Sequence, residues 1–243
     1  MINLILSFLF MAEGDYISSF GIVTYSDDGR GLGAYGTNIW VCDYLDKAVY
    51  KYTTAGVYVS SFSIASHNDL GNGLGTDGTN IFVSDYTDDS VHKYLVDGTY
   101  VSSFYIGNHC GRGDGLGVDA VNIWVADADD DSVFKYTTDG TYVSSFYIGN
   151  HSGNPQGLGS NGTNLWIGDY DDDSVYKYTV AGVYVSSFYI GNHSAVTGGL
   201  DVYGDKLWAL DFTDDSVHNY EGPTAGGAGC ILQGCLLGGV KFP

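Results

Sequence analysis

Gly73-Leu-Gly-Thr-Asp-Gly-Thr-Asn-Ile-Phe-Val-Ser-Asp-Tyr-Thr-Asp-Asp-Ser-Val-His-Lys-Tyr-Leu-Val-Asp-Gly-Thr-Tyr-Val-Ser-Ser-Phe104 is one unit of a tandem repeat. Its Gly-Leu-Gly start recurs at Gly31, Gly115 and Gly157 and returns as Gly199-Leu-Asp201, each 42 residues after the last. The unit contains four short β-type runs separated by turn residues. Strand A is the Gly-Leu-Gly-Thr region, closed by Asp77-Gly78, strand B runs from Asn80 to Ser84, strand C from Ser90 to Tyr94, and strand D from Tyr100 to Phe104. Asp97-Gly98, Asp139-Gly140, Ala55-Gly56 and Ala181-Gly182 separate C from D, because glycine supplies the positive φ of a tight hairpin. Runs such as Ile-Trp-Val and Tyr-Val-Ser-Ser-Phe are rich in the β-branched and aromatic residues that strands favour. A period near 42 made of four strands, with no helical pattern, predicts an all-β propeller with one blade per repeat.

The ends of the array set its closure. The last repeat, Gly199 to Tyr220, supplies A, B and C and stops at Glu221-Gly-Pro223, whereas Asp15-Tyr-Ile-Ser-Ser-Phe20 is an orphan strand D. Pairing the two gives a five-bladed β-propeller of 42-residue four-stranded blades, its ring closed by an N-terminal outer strand and its sheet edges covered. A fragment of a six-bladed ring is the competing reading. The propeller spans 14–221, between an apolar segment at 1–13 and a Gly-rich tail at 222–243 that carries Cys230 and Cys235. The apolar segment reads either as a weak export signal or as a relic of a former blade, and it is too short to span a membrane.

With 29 acidic against 9 basic residues the net charge is −20, which argues against nucleic acid as a partner. Hydrophobic residues make up 44% of the chain, enough for a packed interior. The cysteines form no disulfide framework and no zinc-finger spacing. The acidic surface and the sequons at Asn150, Asn161 and Asn192 suit a secreted or cell-surface protein, and the closed ring suits a monomer.

The pattern Gly-Leu-Gly-x-Asp-Gly-x-Asn-Ile-Trp-Val-x-Asp-x-x-Asp-Asp-Ser-Val-x-Lys-Tyr, followed by Asp-Gly-Thr-Tyr-Val-Ser-Ser-Phe, resembles the NHL repeat of β-propellers over Gly14 to about Tyr220. That resemblance implies the propeller fold and leaves function wide, since NHL-like rings include protein-binding modules, RNA-binding modules and lyases. The usual NHL ring has six blades, a departure from the five counted here. Asn164-Leu-Trp166 is also similar to streptogramin lyase-like propellers, although their His and Glu positions have no match in this chain.

Two sets of residues lie on the face shared by the B–C turns and the D–A connections. His67, His109, His151 and His193 follow strand D at one offset, with Tyr25 in the fifth place. Asp43, Asp85, Asp127, Asp169 and Asp211 end each strand B and lead into acidic turns. His with carboxylate is a ligand set for zinc, manganese or iron. Against that, duplication copies every residue, useful or idle, and Tyr100–His109 is identical to Tyr142–His151 and Tyr184–His193. Asp127, Asp129 and Asp131, and likewise Asp169, Asp171 and Asp173, match the opening of a calcium loop, so a divalent cation such as calcium is the one cofactor suggested. Ser132 and Ser174 stand where that loop needs Gly, and Thr138 and Val180 where it needs Glu, so a role in holding the turns competes. Trp40, Trp124, Trp166 and Trp208, in phase with Phe82, read as inter-blade packing or as sugar-stacking platforms, and Lys51, Lys93, Lys135 and Lys177 of strand C as solvent-facing residues near the Asp turns. No phosphate loop, nucleophile elbow or His-Glu-x-x-His is present. The expectation is a non-catalytic binding or scaffold propeller that recognises protein or glycan. The alternative is a metal-dependent lyase or hydrolase at the channel mouth, with His109, His151 and His193 as ligands and Asp127 or Asp169 as base.

Overall fold

A computed structural model of the chain describes residues 11–194 and 197–223. The apolar stretch through residue 10 and the cysteine-bearing tail from residue 224 lie outside the described residues. Strand β1 (Tyr16–Gly21) precedes four continuous blades. These are β2 (Gly29–Tyr35), β3 (Asn38–Asp43), β4 (Ala48–Thr53) and β5 (Tyr58–Ser63), then β6 (Gly71–Thr76), β7 (Asn80–Asp85), β8 (Ser90–Leu95) and β9 (Tyr100–Tyr105), then β10 (Gly115–Val118), β11 (Asn122–Asp127), β12 (Ser132–Thr137) and β13 (Tyr142–Tyr147), and then β14 (Pro155–Ser160), β15 (Asn164–Asp169), β16 (Ser174–Thr179) and β17 (Tyr184–Tyr189). The fifth blade is β18 (Thr197–Tyr203), β19 (Lys206–Asp211) and β20 (Ser216–Glu221), completed by β1 as its outer strand.

All five sheets are antiparallel and four-stranded, so the five-bladed ring and its N-terminal clasp are as the strand count requires. β1 brings its own turn with it: Gly14 N–H donates to Glu221 O at 2.8 Å, and Glu221 N–H returns to Asp15 O at 2.8 Å. The chain's two glutamates both sit at this seam. Glu13 accepts from Trp166 Nε1 at 2.6 Å and Lys177 Nζ at 2.9 Å, and Glu221 accepts from Lys206 Nζ at 3.0 Å.

The core consists of five wedges, one between each pair of neighbouring blades. In one of them Trp40, Cys42, Val49 and Ile64 meet Leu74, Ile81, Val83 and Tyr94 of the next blade. Strand B lies sandwiched there, which is why Trp40, Phe82, Trp124, Trp166 and Trp208 are all buried. The strand C lysines do not project beside the Asp turns. Lys51 pairs in register with Trp40, and its ammonium stands 5.0 Å from that ring, as Lys93, Lys135 and Lys177 stand over Phe82, Trp124 and Trp166. Mid-strand register, which the spacing alone did not convey, sets each cation on an aromatic face.

Glycine closes the ring at two radii. On the axis, a Cβ on Gly115 would meet Gly157 C and Leu158 N at 2.9 Å, so only glycine lets five inner strands approach so closely. At the rim, the C–D turn glycine, such as Gly140 at φ +91, faces the ring of Phe104 from the preceding blade.

Candidate functional site

The histidines stand at the outer rim, spread around the ring. His67 stacks on Tyr100 at 3.7 Å between ring centroids, His109 on Tyr142 at 3.8 Å, His151 on Tyr184 at 4.0 Å and His193 on Tyr16 at 3.9 Å, with Tyr25 on Tyr58 at 4.0 Å. Each pair joins a D–A connection to the outer strand of the following blade. His109, His151 and His193 therefore do not converge on one point.

The strand B aspartates are buried and hold the turns. Asp127 accepts N–H bonds from Arg112, Asp129 and Asp130, and Asp169 from Gly153, Asn154, Asp171 and Asp172. Asp131 and Asp173 adopt positive φ of 47 and 54, a conformation Asp tolerates better than most residues. Asp129 is bound by Arg112 Nη1 at 3.1 Å and Asp171 by Asn154 Nδ2 at 3.2 Å. Four of these six acids are thus engaged locally, and Asp131 and Asp173 are set by the turn backbone. The His and Asp groups that come together are different ones, Asp85, Asp88 and His92, and Asp211, Asp214 and His218, each set lying within 4.8 Å. Burial lowers the His218 pKa, opposed by the nearby Asp214 and Asp211.

Ring geometry creates two mouths that no single repeat contains. Between them Gly31, Gly73, Gly115, Gly157 and Gly199 close the axis so tightly that no space for water remains. On the B–C face a cavity of about 500 Å³ is lined by Tyr44, Tyr86, Tyr170 and Phe212 with Arg30, Asn72, Arg112, Asn154 and Gln156. Arg30 and Arg112 are the chain's two arginines. The Arg30 guanidinium lies 4.7 Å from the Phe212 centroid and 5.3 Å from that of Tyr44, and that of Arg112 lies 5.5 Å from Tyr86. Arg30 Nε donates to Asp28 at 2.9 Å, while its two terminal nitrogens have no hydrogen-bond partner among the described residues. Arg112 Nε donates at 3.0 Å to Asp114, which also accepts from Asn72 Nδ2 at 2.9 Å. Burial raises the Asp114 pKa to about 6 in spite of Arg112 and the Ala128 N–H.

This mouth breaks the fivefold pattern. One position of the repeat, immediately before Gly-Leu, holds Arg30, Asn72, Asp114, Gln156 and Gly198, and the position after the strand B aspartate holds Tyr44, Tyr86, Ala128, Tyr170 and Phe212. These departures become visible only when the five repeats are compared position by position.

The opposite mouth, framed by the A–B turns, encloses about 340 Å³. Its lining includes Tyr35 and Tyr203, whose ring centroids are 4.8 Å apart, together with Asp77, Asp119, Asn161 and Asp201. Asp201 replaces the second glycine of Gly-Leu-Gly in the fifth repeat alone and is 4% exposed. Burial raises its pKa to about 8, although the backbone N–H groups of Ala34, Val202 and Ser160 bond to the carboxyl. Asp77 and Asp119 are committed to their own A–B turns through Asn80 N and Asn122 N.

The fold and these mouths define the chain as a five-bladed β-propeller. No family model matches the sequence, and no curated protein matches it. Solved structures share the fold. Myxococcus xanthus glutaminyl cyclase superposes with a TM-score of 0.70 at 13% identity, over 85% of this chain and 94% of that one. A streptogramin B lyase gives 0.52 at 16% identity over 86% and 73%, and a nidogen/laminin complex gives 0.58 at 17% identity over 79% and 75%. Propellers with these names include enzymes and a component of a protein complex, and identities this low speak to the fold alone. Among the described residues, no helix is long and apolar enough to cross a membrane.

Proposed function

We propose that the protein is a non-catalytic binding propeller whose B–C mouth holds an anionic group presented by a glycan or a protein partner. The observation that carries this reading is the convergence of the chain's two arginines on one cavity in a molecule of net charge −20. Guanidinium groups recognise carboxylate and sulfate through paired N–H donors, and Arg30 has terminal donors to offer. Tyr44, Tyr86, Tyr170 and Phe212 add flat apolar faces, while Asn72, Asn154 and Gln156 add amides, a combination suited to sugar rings and hydroxyls. The mouth holds no nucleophile paired with a base. The NHL-like pattern of the repeat agrees with a binding role, and an extracellular setting would suit both the charge and the ligand.

The test is a glycan array carrying uronic, sialylated, sulfated and neutral oligosaccharides, followed by calorimetry with hits and with acidic peptides. Binding should favour the anionic ligands and weaken by about tenfold or more in Arg30→Gln/Arg112→Gln, as expected for loss of charged hydrogen bonds. Equal binding by the variant, or a preference for neutral ligands, would refute the assignment.

A second reading, catalysis, is favoured by Asp201, since a carboxyl that exchanges its proton near pH 8 at the floor of a cavity is placed as an acid or base. It calls for a substrate screen in which Asp201→Asn abolishes turnover while leaving the Arg30 mouth intact.

A further inference from the structure

One position of strand C holds Tyr50, His92, Phe134, Tyr176 and His218 in the five blades. In two blades the tyrosine hydroxyl donates to the acidic turn beside it, Tyr50 to Asp46 at 2.6 Å and Tyr176 to Asp172. In the second and fifth blades histidine replaces it. His92 is 5% exposed and His218 is 4% exposed, and no nitrogen of either ring makes a hydrogen bond. A buried imidazole with both nitrogens unsatisfied is costly and calls for a partner.

The spacing to the turn identifies that partner. His92 Nε2 stands 3.5 Å from Asp88 Oδ2, and His218 Nε2 stands 3.8 Å from Asp214 Oδ2. Both distances exceed a good N–H···O bond. They are close to the edge of a ligand tetrahedron, about 3.4 Å for donors about 2.1 Å from a central zinc ion. Asp85 and Asp211 complete the two trios, whose donor atoms lie within 4.8 Å of one another. Asp85 is already fixed by Asp69 N and by Thr87 N and Oγ1, so the exposed Asp88 is the ligand free to close. His67 lines the cleft that contains Asp85 and Asp88, at a rim where a fourth donor or water would enter.

We propose that the protein binds two divalent transition-metal ions of the zinc class, one at Asp85, Asp88 and His92 and one at Asp211, Asp214 and His218. One nitrogen with two carboxylate donors suits zinc, cobalt or manganese and is unlike the all-oxygen shell of calcium. The first and fourth blades are internal controls, because a tyrosine hydroxyl there closes the gap that the ion fills in the other two. Each ion pins a B–C turn to strand C, and at the second blade the site faces the cleft lined by His67.

The test uses the full chain stripped with chelator and titrated with Co²⁺ at physiological salt, followed by visible absorption and elemental analysis. Two equivalents per chain are expected, one in His92→Tyr and none in His92→Tyr/His218→Tyr, with a tenfold excess of Ca²⁺ leaving the spectrum unchanged. Tyrosine is chosen because Tyr50 and Tyr176 occupy the same slot, so the variants should fold. Should the double variant misfold, Asp88→Asn/Asp214→Asn changes only exposed side chains and should also lose both equivalents. Fewer than two equivalents in the wild-type chain, or two retained in whichever double variant folds, overturns the proposal.

Discussion

Replacing Asp201 by Asn should cost stability in acid, and the stability of the variant relative to the parent should rise steadily toward neutral pH. In the folded ring the Asp201 carboxyl keeps its proton up to about pH 8, because it is buried on the axis, whereas the unfolded chain releases that proton near 3.8. Between those values the folded state holds more protons than the unfolded one, so the contribution of this group falls as pH rises and levels off above about 8. Each pH unit is worth about 1.4 kcal/mol, so by pH 7 the loss relative to pH 4 is on the order of 4 kcal/mol. Asn cannot ionise, and its Oδ1 can accept the Ala34 N–H that now reaches Asp201 Oδ2 at 2.8 Å, but its Nδ2 cannot accept the Val202 N–H that reaches Oδ1 at 2.8 Å, which adds a cost of about 1–3 kcal/mol at every pH. Urea unfolding of both proteins at half-unit steps from pH 4 to pH 8.5, read by tryptophan fluorescence, isolates this group, because the other titrating residues cancel in the difference. The difference in stability should shift in favour of Asn through this range and flatten above pH 8. A difference that stays constant from pH 4 to pH 8.5 would show that Asp201 is ionised at neutral pH and stabilised in some other way.

At the B–C mouth, protonation of Asp114 below about pH 6 removes one of the two countercharges of Arg112, Asp129 being the other, so affinity for an anionic ligand should rise between pH 7.5 and 5.5 in calorimetry, and Asp114→Asn should remove that rise. Gly140→Ala should cost about 2 kcal/mol or more in a denaturant melt, because it combines a positive φ with a Cβ driven into the Phe104 ring. Deleting residues 1–21 removes the outer strand of the fifth blade and bares the edge of β20, and light scattering should then report a larger species than the full chain forms. A milder lesion at the same seam, Glu13→Gln, weakens the bonds to Trp166 and Lys177 and should lower the melting temperature by a few degrees.

The fold was legible because each of its determinants recurs locally. Gly-Leu-Gly marks an inner strand, Asp-Gly or Ala-Gly a C–D hairpin, and the orphan Tyr-Ile-Ser-Ser-Phe before the first full repeat marks the clasp. Expected strands such as Asn80–Ser84 and Ser90–Tyr94 fall within one residue of the observed ones. The sites were harder to see, for a physical reason. Arg30, Asn72, Arg112 and Gln156 are brought together only by ring closure, and within its own repeat each looks like an ordinary loop residue. Asp201 looked like one imperfect copy of a glycine motif, and its depth follows from the packing of five inner strands against one another. The conspicuous His ring drew attention because it is uniform, and uniformity turned out to accompany stacking on Tyr16, Tyr100, Tyr142 and Tyr184.

Symmetry explains why residues that vary between blades are the better guide here. A residue that serves each blade in the same way, such as the Asp that holds a B–C turn or the Gly that admits a Phe ring, recurs five times. A single ligand on the axis touches all five blades at once and lacks fivefold symmetry itself, so the residues that grip it must differ from blade to blade, as Arg30, Asn72, Asp114, Gln156 and Gly198 do. An ion held within one blade has no such constraint. Its ligands can be present or absent blade by blade, which is how His92 and His218 occur twice while Tyr50 and Tyr176 fill the equivalent slot without an ion. The two proposals therefore separate experimentally. Arg30→Gln/Arg112→Gln should weaken anion binding by about tenfold or more and leave cobalt stoichiometry at two, and His92→Tyr/His218→Tyr should remove cobalt binding and leave anion binding unchanged. Loss of both properties in either variant would mean that the mouth and the turns act as one site, contrary to the geometry that places them at different radii of the ring.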